Sequence, residues 1–136
     1  MFVHCCHCTW CQRESGSAFA VNALIESDHV QVTQGLTEKI ETPSNSGAGQ
    51  TIVRCPKCKV ALWSHYGGAK EKVAFVRVGT LDMPDLCPPD IHIFTSSKLA
   101  WVTLDGVVPQ VEEYYRRSEF WPAPSVVRYK QALATE

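Results

Sequence analysis

Four of the chain's seven cysteines, at positions 5, 6, 8 and 11, fall within one stretch of seven residues, and the others stand at 55, 58 and 87. In Cys6-His7-Cys8-Thr9-Trp10-Cys11, an extended backbone puts Cys6 and Cys8 on one face and a turn brings Cys11 round beside them. Three thiolates can then meet one ion. Soft sulfur ligands suit zinc or an iron–sulfur cluster, and a compact group without a fourth nearby cysteine favours zinc. Cys5 and His7 alternate out of this face. Cys5 is therefore expected to be a buried structural thiol, and His7 to stand behind the ligands or toward a substrate rather than on the ion. The second cluster, Cys55-Pro56-Lys57-Cys58, has the two-residue gap of a zinc knuckle. The plainer arrangement is a single closed ribbon of Cys8, Cys11, Cys55 and Cys58, a structural site with no open position.

The elements that must position these residues read as mainly β. Short apolar or alternating segments at Phe19–Leu24, His29–Thr33, Gln50–Arg54, Val73–Leu81, Ile91–Phe94 and Trp101–Leu104 predict strands. Turn signals separate them: Gly35, a Ser/Asn/Gly-rich loop from Pro43 to Gly49 expected to be mobile, Gly67-Gly68, and Asp82-Met83-Pro84. Helix is expected only as a short turn after Cys11 and as a C-terminal piece capped by Ser125. The aromatic residues Trp10, Phe19, Trp63, Trp101 and Trp121 supply bulk, most of it core and some of it pocket wall. His92, in an apolar strand, reads as a hydrogen-bonded core histidine.

Composition narrows the function classes. With 136 residues, 45% hydrophobic and 20% charged, the chain is long and apolar enough for one domain with a core. Thirteen basic against fourteen acidic residues give a net charge of -1, so no global field draws it to nucleic acid or an anionic membrane. No apolar run reaches a membrane span, and Met1-Phe2-Val3-His4 lacks the regions of a signal peptide, which predicts a cytoplasmic protein. An odd number of unevenly spaced cysteines is not a secreted disulfide framework.

The string Cys6-His7-Cys8-Thr9-Trp10-Cys11-Gln12-Arg13-Glu14-Ser15-Gly16-Ser17-Ala18-Phe19 resembles the signature of the glutathione-dependent formaldehyde-activating enzyme family, which includes centromere protein V. Further matches are Gly35, Arg54-Cys55-Pro56-Lys57-Cys58 with Leu62, Gly79-Thr80-Leu81-Asp82, Pro89 with His92-Ile93, and Trp101 with Asp105 and Pro109. The resemblance covers residues 6–109 of a single domain spanning 1–136, with 110–136 as a C-terminal extension. It implies stacked, tent-like antiparallel β-sheets with short terminal helices and two zinc sites. Cys6, Cys8 and Cys11 match the ligands of the catalytic zinc, and Cys55 and Cys58 match half of a structural one. In the family an upstream Cys-x-Cys pair supplies the other half. Only five residues precede Cys6 and none forms that pair, so the chain is expected to begin late or to have lost a strand. One or two zinc ions per chain follow, as does an uncovered sheet edge that favours a homodimer.

Three protein thiolates leave a fourth position for an incoming thiol. The resemblance implies glutathione as that thiol and formaldehyde or a related aldehyde as its partner, joined or parted by a carbon–sulfur lyase that needs no organic cofactor. Arg13, just past the triad, is the candidate to pair with a glutathione carboxylate, against the reading of a solvated surface arginine. The competing function is a non-catalytic zinc module that binds protein or nucleic acid. The nucleic-acid form of that reading draws on the basic and aromatic tail around Tyr114-Tyr115-Arg116-Arg117 and on the centromeric relative, but Glu112, Glu113 and Glu119 interrupt the charge, and packing of the tail against the domain or a second subunit is the simpler account.

Overall fold

The computed structural model describes residues 1–134, so the last two positions of the C-terminal extension, Thr135 and Glu136, lie outside the described residues. Phe2-Val3-His4-Cys5-Cys6 forms strand β1 (Phe2–Cys6), buried at four of its five positions because it lies between two others. On one side it runs antiparallel to β2 (Ala20–Glu26), pairing Phe2 with Leu24 and Cys6 with Ala20. On the other it runs parallel to β7 (Ile91–Ile93), pairing Cys5 with His92 and Cys6 with Ile93. The remaining strands, β3 (Glu38–Thr42), β4 (Gln50–Arg54), β5 (Ala61–Tyr66) and β6 (Val73–Arg77), complete one seven-stranded sheet of order β3-β4-β5-β6-β2-β1-β7. Its pairs are antiparallel except β1–β7.

The fold is thus mainly β with short helices, but several local expectations need correcting. The segment His29–Thr33 is not a strand; Ser27–His29 closes a 3₁₀ turn and the chain then runs exposed, with no ladder to satisfy its backbone. Trp101–Leu104 is likewise irregular, and Trp101 is 74% exposed rather than core. The β6 strand ends at Arg77, where a 3₁₀ turn over Val78–Thr80 takes over.

Helix α1 (Thr9–Ser15) begins before Cys11, not after it. Cys8 is its N-cap, with Sγ accepting from the Cys11 N–H at 3.4 Å. Gly16, at φ 64°, ends it in the left-handed conformation that glycine adopts without strain, its N–H donating to the Gln12 carbonyl at 2.9 Å. A short helix α2 (Arg117–Phe120) leads into α3 (Ala123–Ala134). Ser125 lies inside α3 and does not cap it; its Oγ donates to the Met1 carbonyl at 2.8 Å. Proline at 124, in the first turn where its missing N–H costs nothing, marks the true start.

The C-terminal segment is built into the core. Trp121 stacks on Phe2 at 5.2 Å and meets Tyr129 edge-on at 5.5 Å. Arg128 makes a two-pronged pair with Glu26 at 2.8 and 2.6 Å. Residues 109–113 bond the backbone of 92–94 and cover the outer edge of β7. Among the described residues, β1 is therefore internal, and the uncovered edge is β3. There Glu38, Lys39 and Glu41 supply the charges that discourage edge-to-edge pairing. Among the described residues no helix is long and apolar enough to cross a membrane.

Candidate metal centre

Three different local structures deliver the three thiols. Cys6 ends β1, Cys8 caps α1, and Cys11 lies one turn into that helix. Their sulfurs lie within 4.8 Å of one another, and all three residues are buried. The thiols share protons unequally. Cys8 is held far below the ordinary thiol range, first by the Cys11 and Cys6 thiols that donate to it and then, against its burial, by the backbone N–H groups of Cys11 and Trp10. Cys6 is pushed far up by its hydrogen bonds to Cys11 and Cys8 and by burial.

The triad fits zinc. A tetrahedral ion with zinc–sulfur bonds of about 2.3 Å separates neighbouring sulfurs by ~3.8 Å, inside the spread the three donors already have. The helix carrying two of them is fixed independently of any ion. Gln12 Nε2 donates to the carbonyls of His7 and Ser97 at 2.8 and 2.9 Å. Glu14 bridges Arg54 at 2.6 Å and Arg77 at 3.0 Å, and Arg77 also donates to Ser64 at 3.0 Å and to Asn22.

Among the described residues, the second pair gathers no further donor. A turn does bring Cys55 and Cys58 round, with the Lys59 N–H on the Cys55 carbonyl at 2.9 Å and the Cys55 N–H on the Val60 carbonyl at 3.0 Å. Yet Cys58 is exposed, and among the described residues no third histidine, cysteine or carboxylate joins them. Two ligands are too few for a tetrahedral structural zinc. Nor does the single ribbon form, because Cys8 and Cys11 group with Cys6 instead.

The triad opens into a cavity of about 600 Å³. Its walls are mainly apolar and aromatic, from Trp10, Tyr66, Phe75, Phe94 and Tyr129, and the loop residues Ser44, Asn45 and Ser46 close one side. Among the described residues, Arg117 is the one cationic side chain of the lining. The sequence reading missed it: 106 positions separate it from Cys11, and the tail that carries it reads as packing against the domain or a second subunit, with no role at the site. Arg13, the residue named instead, is exposed, lies over the Trp10 ring at 5.3 Å and is not part of the lining. His7 turns away from the triad, as the alternation of β1 requires. It lies against Cys5 at 3.6 Å and against His92 at 2.9 Å.

His4 lines the cavity beside Cys6. Trp121 Nε1 donates to the Tyr115 hydroxyl at 2.6 Å, and that hydroxyl keeps its own proton to give to His4 Nε2, 2.5 Å away, when the ring nitrogen is bare. The arrangement needs a neutral imidazole, and burial, helped by the Arg117 charge, lowers His4 from 6.5 to about 3. Between those values the unfolded chain binds the extra proton. The His4 contribution is therefore complete above pH 6.5 and declines by about 1.4 kcal/mol per pH unit as pH falls toward 3. Denaturant unfolding of metal-free protein at pH 7, 6 and 5 should show this slope added to those of His7 and His92, which burial also lowers, and His4→Gln should reduce the total by the His4 share. Equal slopes for the two proteins would refute the assignment.

One family comparison bears on this geometry. A family model described as glutathione-dependent formaldehyde-activating enzyme matches residues 1–97, which include the triad, α1 and seven lining residues of the cavity from Ser44 to Ala69 but not Arg117 or Tyr129.

Proposed function

The chain belongs to the glutathione-dependent formaldehyde-activating enzyme family, and from that premise we propose that it joins a small thiol to an aldehyde carbon beside Cys6, Cys8 and Cys11. The observation that carries this reading is that three buried, clustered sulfurs open on a cavity of substrate size. In the forward direction the carbon–sulfur bond forms, the carbonyl becomes a hydroxyl, and the thiol proton ends on its oxygen; the lyase direction reverses each change. A zinc ion would be held by Cys6, Cys8 and Cys11, and there it would make an incoming thiol acidic near neutral pH.

The chain's own side chains supply the rest. Tyr66 and Tyr114 bring phenol groups to the cavity, and burial pushes both above the ordinary tyrosine range. Both are donors at neutral pH, suited to an aldehyde oxygen as it gains charge. The aromatic walls keep water from competing with the thiol for the carbonyl. Arg117, stacked over Tyr129 at 4.1 Å and donating to its hydroxyl at 3.0 Å, offers its charge to a thiol substrate's carboxylate.

The test is adduct formation between glutathione and formaldehyde, followed by exchange spectroscopy with reduced, zinc-loaded protein. The expected result is turnover above the spontaneous rate, with Arg117→Leu raising KM for glutathione about tenfold, the loss of one charge-assisted contact. KM for an uncharged thiol should hardly move. A rate equal to the protein-free control with every thiol and aldehyde tried would overturn the reading.

A further inference from the structure

The strand that delivers Cys6 to the cavity turns Cys5 to the opposite face of the sheet, where it meets two histidines. Cys5 Sγ lies 3.6 Å from His7 Nε2, and His7 Nε2 lies 2.9 Å from His92 Nδ1. One donor atom of each residue lies within 4.8 Å of the others. Cys5 and His7 are 1% and 0% exposed, while His92 is half-buried.

Three observations separate this cluster from an ordinary core histidine pair. The first is size. A tetrahedral zinc with bonds of about 2.3 Å to sulfur and 2.0–2.1 Å to nitrogen has sulfur–nitrogen edges of ~3.5 Å and nitrogen–nitrogen edges of ~3.3 Å, close to the 3.6 Å and 2.9 Å that separate His7 Nε2 from Cys5 Sγ and His92 Nδ1. The second is that the backbone fixes the cluster without help from an ion. Cys5 and His92 are register partners in the parallel β1–β7 pair, and the His7 N–H donates to the Ile93 carbonyl at 3.0 Å. The third is the state of His7: its ring is fully buried, and its Nε2 meets the two other donors of the cluster, Cys5 Sγ and His92 Nδ1. The half-exposed His92 leaves a path for entry.

We propose that Cys5, His7 and His92 bind a second divalent transition-metal ion of the zinc class, and that this site, not the Cys55–Cys58 turn, holds the chain's second zinc. One thiolate and two imidazoles make a donor set suited to zinc or cobalt and poor for calcium or magnesium. The two sites then stand back to back along Cys5-Cys6-His7-Cys8, with alternate residues serving opposite faces. The second ion ties β1 to β7 across the sheet's parallel pair and so stabilises the strand that also carries Cys6.

The test counts ions in the full, reduced chain loaded with zinc and freed of excess by gel filtration. Two ions per chain are expected for the wild type and for the double variant Cys55→Ser/Cys58→Ser, but one for Cys5→Ser and one for His92→Asn. Loading with cobalt adds an independent reading: Cys5→Ser should remove about a quarter of the thiolate-to-metal absorption, one sulfur of four. Because Cys5 is buried, folding is checked by melting in chelator. There His92→Asn should melt close to the wild type, while zinc raises its melting temperature by less. A single ion in the wild type, two ions in both Cys5→Ser and His92→Asn, or loss of the second ion on changing Cys55 and Cys58 would each overturn the proposal.

Discussion

Replacing Cys8 with serine should lower zinc affinity and adduct-forming turnover by more than about a hundredfold while leaving the metal-free fold at nearly wild-type stability. The first half follows from the ligand count, since changing a residue that merely supports a metal ligand already costs 10–100-fold. Removing one of three sulfurs must cost more. The second half follows from where Cys8 sits. It is the N-cap of α1, and its sulfur accepts the Cys11 N–H. Serine is among the best N-cap residues, so its hydroxyl takes over that bond. Cys8→Ala lacks an acceptor and should lose about 1 kcal/mol of metal-free stability as well. Metal content and chelator melts of the two variants separate ligand from cap. A Cys8→Ser protein that keeps zinc and turnover would remove the triad from the chemistry.

The same residue shows why part of the site was legible in sequence. Cys6 and Cys8 are two apart and Cys11 three further on, so local rules of strand alternation and helical return suffice to bring them together. The cluster of Cys5, His7 and His92 obeys the alternation too, and Cys5 was placed on the far face correctly. Its third member arrives through a parallel strand pair 87 positions away, and no local period announces such a pairing. The cavity has the same limit. Arg117 and Tyr129 come from a segment that reads as a separate tail, and only the stacking of Trp121 on Phe2 and the Arg128–Glu26 pair bring it over the triad. Strands with mixed or charged sequence, such as Glu38–Thr42, carry little apolar signal because an edge strand has only one neighbour and solvent on its other side. Trp101 failed for the opposite reason. Its size argues for burial, but the chain there has no strand to pair with, and the ring stays out.

Glu14→Gln should be the most destabilising single change to the helix that carries the site. The Glu14 side chain is only 6% exposed and its two oxygens take separate arginines, Arg54 at 2.6 Å and Arg77 at 3.0 Å. Arg77 is buried, and its other partners, Asn22 and Ser64, are neutral. Glutamine keeps the shape but leaves that guanidinium without a counter-charge in a low-dielectric setting, a loss of about 3–5 kcal/mol. For a domain of this size that lowers the melting temperature by roughly 10 °C or more. Arg54→Met should cost far less, on the order of 1 kcal/mol, because Arg54 is partly solvated and Glu14 retains Arg77. The consequence reaches the metal through geometry. Glu14 stands one turn beyond Cys11 on α1, so loosening its anchor lets Cys11 drift from Cys6, and zinc affinity should fall even though no ligand has changed. Chemical unfolding of metal-free protein gives the stability term and competition with a chelator gives the affinity. If Glu14→Gln unfolds like the wild type, or loses stability without losing zinc affinity, then the ion pair does not position the triad.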